Sequence, residues 1–312
     1  MGRINKKIKI LYTIPNFNTA GSGKVLYDLA RGLDPNCFEV SIACHHKKGT
    51  FFKTVEALGF PIYIINTTVR LRPYFNLWNR IKPFKTFVKQ HQFDIVHSWH
   101  WSSDWSEVVA SRLGGAKFIY TKKAMTWGNK HWKIRSYFSH FIITINDEMF
   151  DYFPNRRNQR LIPLGIDTNY YNPKHFETKP TADFTIVTVA NLVPVKGIEV
   201  LIESLSTLTT LPIRLQIVGD AQVPYAQTLK QLVKRLNLEG NVDFCGKQQD
   251  VRPFLFDSDL YVIPTLDAGR KEGMPMALVE AMAMGVPVLG SNISGIRYVL
   301  QEFPELLFEA SN

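Results

Sequence analysis

The stretch "RKEGMPMALVEAMAMGVPV", residues 270–288, is mostly apolar yet carries two carboxylates, Glu272 and Glu280, eight positions apart. Pro275 fits the first turn of a helix and Gly285 fits just past its end. Glu272 then lies in the loop before the helix and Glu280 within it. At ~1.5 Å rise per residue, plus the loop, the two carboxylates stand roughly 10 Å apart, about the reach of a nucleotide sugar from ribose to hexose. Carboxylates suit both ends of such a ligand because they accept paired hydrogen bonds from hydroxyls. Between them, the free N–H groups at the helix start favour a diphosphate. The competing reading is a solvated loop residue and a paired helix residue. Spacing alone leaves both open.

Something must hold these residues in place, and the rest of the chain shows what. Apolar β-like runs alternate with amphipathic segments: "IKILYTI" (8–14), "FEVSIAC" (38–44), "IYIIN" (62–66), "FDIVHSW" (93–99), "KFIYT" (117–121) and "FIITIN" (141–146), with helical patterns such as "GKVLYDLARGL" between most of them. The pattern lapses at "NYYNPKHFETKPTAD", then restarts with "FTIVTVA" (184–190), "LQIVGD" (215–220), "VDFCG" (242–246), "LYVIPT" (260–265) and "VPVLGS" (286–291). Alternation of this kind predicts parallel sheets joined by helical crossovers, in two α/β Rossmann-like domains. The expected boundaries are 1–170, a linker at 171–183, and 184–312. Ligands in such folds sit beyond the carboxyl ends of the strands, so a cleft between facing domains is the expected site.

Charge divides the chain the same way. Residues 1–175 hold 26 Lys and Arg against 11 Asp and Glu, a net of +15, while the remainder nets −5. The first domain should therefore attract something anionic. No apolar run approaches the ~20 residues that span a bilayer, and the N-terminus reads as a first strand rather than a signal peptide. Three cysteines (Cys37, Cys44 and Cys245) fit no metal or redox spacing and read as reduced thiols of a cytoplasmic protein.

Taken in order, these segments resemble the retaining glycosyltransferases of the GT-B fold, glycosyltransferase family 4. "EGMPMALVE" resembles the family's paired-glutamate hallmark. "VANLVPVKGIEVLIESL" is similar to its strand–loop–helix with a phosphate-binding lysine, here Lys196. "LQIVGD", "VDFCGKQQDV" and "DLYVIPT" follow in family order, and "NISGIRY" matches in part. "NTAGSGKVLYDLARGL", "FDIVHSWHWSSDW" and "LIPLGIDTNYYNP" resemble N-terminal segments. By that resemblance Glu280 binds the ribose hydroxyls and Glu272 holds the donor sugar near its reacting carbon. Lys196 binds the diphosphate, and the backbone near Cys245 and Gly246 meets the base. Gly273 and Met274, inside the hallmark, belong to the donor site. A fixed lysine and oriented amides would stabilise the charge that grows on a departing nucleoside diphosphate. Two departures stand out. Asn191 occupies the place of the family's usual arginine, for which Arg270 or Lys271 would compensate unless they are plain loop charges. Lys123, in "IYTKKAMTWG", stands about where many members carry a histidine facing the donor sugar, or else is a basic surface residue.

Weaker signals have paired readings. "AGSGKV" fails the P-loop spacing, since Asn18 and Val25 stand where Gly and Ser or Thr are required. Gly21, Ser22 and Gly23 then form a flexible loop approaching phosphate or acceptor, or a plain strand–helix turn. "DSD" at Asp257–Asp259 resembles a metal-binding motif of another glycosyltransferase fold, or is an acidic strand start. His97 and His100 lack an evident third metal ligand, which leaves strand-end packing or an acceptor contact. Trp99, Trp101 and Trp105 cluster beyond a strand, where they stack on an acceptor sugar or pack in the core.

The resemblance implies a nucleotide-sugar donor as substrate, a glycan or lipid-linked acceptor, no cofactor, no metal and no nucleic acid, in cell-surface polysaccharide synthesis. The rivals are a nucleotide-sugar epimerase or hydrolase, and a degenerate nucleotide-sugar-binding module. "WNRIKPFKTFVKQ" mixes Trp78, Phe84 and Phe87 with lysines as an interfacial helix would. A cytoplasmic protein peripheral to an anionic membrane surface is therefore expected, against a solvated basic face. "ELLFEASN" looks like the late strand and turn of the donor domain, the point at which the family adds further helices, so that domain is expected to be truncated there and the domains to close poorly.

Overall fold

A computed structural model describes residues 6–18, 20–123, 125, 130–153, 157–177, 183–268 and 272–311. The chain divides into two compact units, Met1–Leu164 and Gly165–Asn312. The expected linker thus begins inside the second unit, and its residues 178–182 lie outside the described residues.

The first unit strings together β1 (Ile8–Thr13), α1 (Ala20–Gly32), β2 (Phe38–Cys44), α2 (Phe52–Glu56), β3 (Ile62–Ile64), α3 (Leu77–His91), β4 (Ile95–Ser98), α4 (Ser106–Leu113), β5 (Lys117–Lys122), α5 (Lys130–Phe138), β6 (Phe141–Thr144), α6 (Asp147–Asp151) and β7 (Gln159–Leu161). Its parallel sheet has the order β3-β2-β1-β4-β5-β6-β7. The second unit continues with β8 (Phe184–Val189), α7 (Ile198–Ser206), β9 (Ile213–Val218), α8 (Pro224–Arg235), β10 (Val242–Gly246), α9 (Arg252–Phe256), β11 (Leu260–Ile263), α10 (Met276–Ala283), β12 (Val288–Ser291), α11 (Ser294–Val299) and β13 (Leu307–Phe308). Its sheet, also parallel, is ordered β10-β9-β8-β11-β12-β13. These are two α/β Rossmann-like sheets in which the order turns back between first and fourth strands. That is where such folds expose strand ends to a ligand.

Strands covered by helices on both faces need side chains that are apolar on both. Ile10, Leu11 and Tyr12 of β1 and Leu215, Ile217 and Val218 of β9 are accordingly all buried. Each sheet is pinned by the same device. Asp94, just before β4, gives its N–H to the Lys9 carbonyl and accepts the Lys9 N–H on its carboxylate at 2.8 Å. Asp259, just before β11, does the same with Thr185, also at 2.8 Å. Asp259 of the "DSD" motif is thus an acidic strand start.

Two expectations are corrected here. Gly21, Ser22 and Gly23 lie in the first turn of α1, not in a loop. The first N–H groups of a helix need no intrahelical partner, so glycine costs little there. Gly23 is small for packing: an added Cβ would meet the Phe17 ring at 3.0 Å. In α3, the spacing Leu77, Ile81, Phe84, Val88 forms the buried stripe, with Phe87 packed against the same core. Phe84 and Phe87 therefore face protein, while Trp78 on the same helix is exposed.

Candidate active site

In the second unit, the chain leaving β8 makes a 3-10 turn, Pro194–Lys196, closed by Gly197 at φ 62°. A side chain at Gly197 would strike the Pro264 carbonyl, its Cβ lying 2.1 Å away. Glycine is required for the conformation and for the contact, and the next backbone pairing, Leu266 N–H to the Val195 carbonyl at 2.9 Å, fastens the turn to the chain beyond β11. The turn aims the Lys196 ammonium at the Glu272 carboxylate, and the two form a direct ion pair. Both side chains are about one-fifth exposed, at 21% and 18%. They are therefore fixed by packing yet still reachable by a ligand.

Glu272 sits in the loop ahead of α10, where Pro275 takes the N-cap position rather than the first turn. Its backbone is held from behind by α11. A Cβ on Gly295 would lie 2.5 Å from the Gly273 carbonyl and 2.7 Å from that of Glu272. Gly295 therefore lets the helix press against the loop, a positioning role that "NISGI" does not advertise. Gly273 is buried and Met274 half-buried beside it. Glu280 lies within α10 as the spacing predicts and accepts a 2.7 Å hydrogen bond from the Tyr171 hydroxyl. Tyr171 is itself buried, at 3% exposure, and its phenol is pushed far up by burial and by the Glu280 charge. It stays a donor at any ordinary pH. The segment carrying Tyr171 is clamped by Arg252, which stacks 3.6 Å from the Tyr170 ring, donates to the Tyr170 carbonyl and pairs with Asp250.

The remaining donor-side residues are less constrained. Gly246 ends β10 at φ 70°, and its carbonyl accepts from Gly219 N–H at 3.0 Å. Asn191 is exposed. Arg270 and Lys271 lie outside the described residues.

The first unit places a different arrangement at its strand ends. Glu107, on α4, is fully buried and ion-paired with equally buried Arg135 of α5 at 3.0 Å. Thr13, at the end of β1, and Ser98, at the end of β4, donate to its two oxygens at 2.5 and 2.6 Å. Arg135 also donates to the Asp104 carbonyl at 2.7 Å. Burial acts to raise the Glu107 carboxyl, but His100, Arg135 and the two hydroxyls outweigh it and hold it below its ordinary range. Nothing in the spacing of "WSEVVASRL" or "WKIRSYF" marks this pair. The only signal is a glutamate on the inward face of an amphipathic helix.

Around this network stand the residues expected on the acceptor side. His100 is buried, hydrogen-bonded to the Thr67 hydroxyl at 2.9 Å, and lowered to about 4 mainly by burial. His97 bonds the Thr121 hydroxyl at 2.9 Å and is likewise lowered by burial. Both imidazoles are neutral at pH 7. Among the described residues no three His, Cys, Asp or Glu side chains cluster as metal ligands do. Trp99 is 1% exposed, so its faces are unavailable for sugar stacking; of the three tryptophans, Trp101 is the exposed one. Lys123 is half-buried rather than exposed. Its ammonium donates to the Trp99 carbonyl at 2.6 Å and lies 5.1 Å from the Trp99 ring centroid. Burial, then the Arg135 charge, lowers it to about 7.

Two parallel-sheet α/β units of one strand order make the GT-B fold of solved glycosyltransferases. The chain belongs to glycosyltransferase family 4. Residues 19–170 match the model of that description and residues 172–312 match glycosyl transferases group 1. The N-acetyl-alpha-D-glucosaminyl L-malate synthase of Bacillus anthracis is 35% identical over 37% of this chain and 29% of its own. The amylovoran biosynthesis glycosyltransferase AmsK of Erwinia amylovora is 33% identical over 44% and 35%. The matched stretch thus spans about a third of the length of these curated relatives. A glycosyltransferase from Rickettsia africae superposes with a TM-score of 0.83 at 19% identity, covering 98% of this chain and 85% of that one. Anabaena Alr3699/HepE, solved with UDP and glucose, gives 0.76 at 19% over 93% and 82%.

Proposed function

We propose that this chain transfers a sugar from a nucleotide-sugar donor held by the second unit to a glycan or lipid-linked acceptor held by the first, with retention of anomeric configuration and without a metal. The contact of Lys196 with Glu272 carries this reading. In the transfer, the bond between the anomeric carbon and the diphosphate oxygen breaks, and the acceptor oxygen forms the new bond. The acceptor's hydroxyl proton leaves with the nucleoside diphosphate. Lys196 is the group placed to stabilise the leaving diphosphate, and Glu272 keeps its ammonium aimed while contacting the sugar. Glu280, oriented by Tyr171, takes the ribose hydroxyls. Relatives named for amylovoran and colanic acid biosynthesis support cell-surface polysaccharide as the product class.

The test is incubation with UDP-, GDP- and ADP-sugars, with and without acceptors and chelator. Released nucleotide that requires acceptor, with product of the donor's anomeric form, is expected. Nucleotide release indifferent to acceptor would make the chain a hydrolase, and binding without release a nucleotide-sugar-binding module. Asn191, which withholds the family's usual positive charge, is the feature that favours the last alternative.

A further inference from the structure

Between residues 57 and 93 the chain has six Lys and Arg and no Asp or Glu. The structure gathers part of this segment into one surface. Phe75 is 88% exposed, more than any other large apolar side chain described, and Trp78 is 66% exposed, with Tyr74 beside them at 47%. The three sit on the 3-10 turn Tyr74–Asn76 and the first turn of α3. They are held outward rather than left loose. Arg80 donates to the carbonyls of Leu71, Arg72 and Pro73, fixing the loop that presents them, and the Tyr74 ring stacks on Trp105. Along α3, Trp78, Lys82, Lys85 and Lys89 follow at spacings of four, three and four, one stripe flanking the buried one, each residue a single position beyond Leu77, Ile81, Phe84 and Val88. None of these lysines pairs with a carboxylate among the described residues.

We infer that this face docks the first unit on an anionic lipid surface, with Phe75 and Trp78 inserted at headgroup level and the lysine stripe lying along it. Aromatic rings favour that interface, and each lysine near an anionic leaflet adds attraction. A soluble acidic glycan would reward the lysines but not the outward Phe75. A second copy of the same face would bring cationic stripe against cationic stripe. The inference extends the proposed transfer to a lipid-linked acceptor, but its test needs no turnover, so the two fail separately.

The full chain is floated with vesicles of equimolar phosphatidylglycerol and phosphatidylcholine, or of phosphatidylcholine alone, at low and high salt. Capture by the anionic vesicles at low salt, weakened by salt, is expected. Phe75→Ser with Trp78→Ser, and separately Lys82→Gln with Lys85→Gln and Lys89→Gln, should each lower partitioning by about tenfold or more, with circular dichroism unchanged. Absence of capture at low salt overturns the inference. So does capture that both variants leave intact, which would locate the contact elsewhere. Capture lost with the lysines but indifferent to Phe75 and Trp78, and abolished by soluble heparin, would assign the face to a soluble polyanion instead.

Discussion

The two units share a sheet order and an aspartate device, Asp94 with Lys9 and Asp259 with Thr185, yet they treat charge at their strand ends in opposite ways. In the first, Glu107 and Arg135 are sealed from solvent and held by each other, by Thr13 and Ser98 and by backbone carbonyls. In the second, Lys196 and Glu272 meet in a partly open position, with a glycine on each supporting element. A sealed pair fixes architecture, because neither charge is free to address a ligand. An open pair costs little to part and can exchange its internal contact for one with substrate. The same fold thus yields a sealed ion pair in one half and a partly open one in the other.

The largest expected effect tests the sealed pair. Arg135→Met leaves a buried, uncompensated carboxylate and should destabilise the chain by about 3–5 kcal/mol in urea unfolding. Replacing both partners, Glu107→Leu with Arg135→Met, should recover a substantial part of that loss; if it does not, the pair is doing more than neutralising itself. The open pair should behave in the reverse manner. Lys196→Ala should change stability by under about 1 kcal/mol, yet lower kcat by about 10²–10³ with the correct donor, as loss of a transition-state charge contact does. An unfolding midpoint that shifts as far as it does for Arg135→Met would erase the contrast.

Next in size is Tyr171→Phe, which removes one hydroxyl and leaves the ring. The lost hydrogen bond to a charged group is worth about 1.5–3 kcal/mol. Nucleotide affinity should weaken by about tenfold with kcat nearly unchanged, and Glu280→Ala should weaken it at least as far. Calorimetric titration with nucleoside diphosphates reads both; an unchanged affinity for Tyr171→Phe would mean that Glu280 needs no orienting partner.

The most gradual effect is a pH slope. Folded His100 stays neutral down to about 4, whereas an unfolded histidine takes its proton near 6.5. Below about 6.5 the unfolded chain therefore binds a proton that the native chain refuses. Stability is full above that pH and falls toward pH 4, by up to about 1.4 kcal/mol per pH unit for this group. His100→Gln should flatten that part of the stability–pH curve, and an unchanged slope would place the acid sensitivity elsewhere.

How much of this was legible beforehand follows from what each feature asks of neighbouring residues in sequence. Strands buried on both faces write themselves as continuous apolar runs, so β1, β2 and β8 fall within a residue of expectation. The placement of Glu272 before α10 and Glu280 within it is equally local, set by Pro275 and Gly285. The short edge strand β7 has no such run, whereas β13 falls inside "ELLFEASN", where a late strand is expected. The Glu107–Arg135 pair is illegible because its meaning lies in burial and in partners from four separate elements. Misreading Phe84 as an interfacial residue is different. The spacing of Leu77, Ile81, Phe84 and Val88 carried the correct answer, and the composition of the segment distracted from it.

Tyr171 has a practical consequence for anyone wishing to study the second unit by itself. A gene fragment cut where the Pro- and Asn-containing stretch ends, at residue 184, would look sensible by composition. It would nevertheless discard the phenol that steers Glu280, and strip Arg252 of the tyrosine it lies upon. A cut at Gly165 keeps both. Binding lost in the shorter fragment would then report a badly chosen scissors position, not the contribution of the other half.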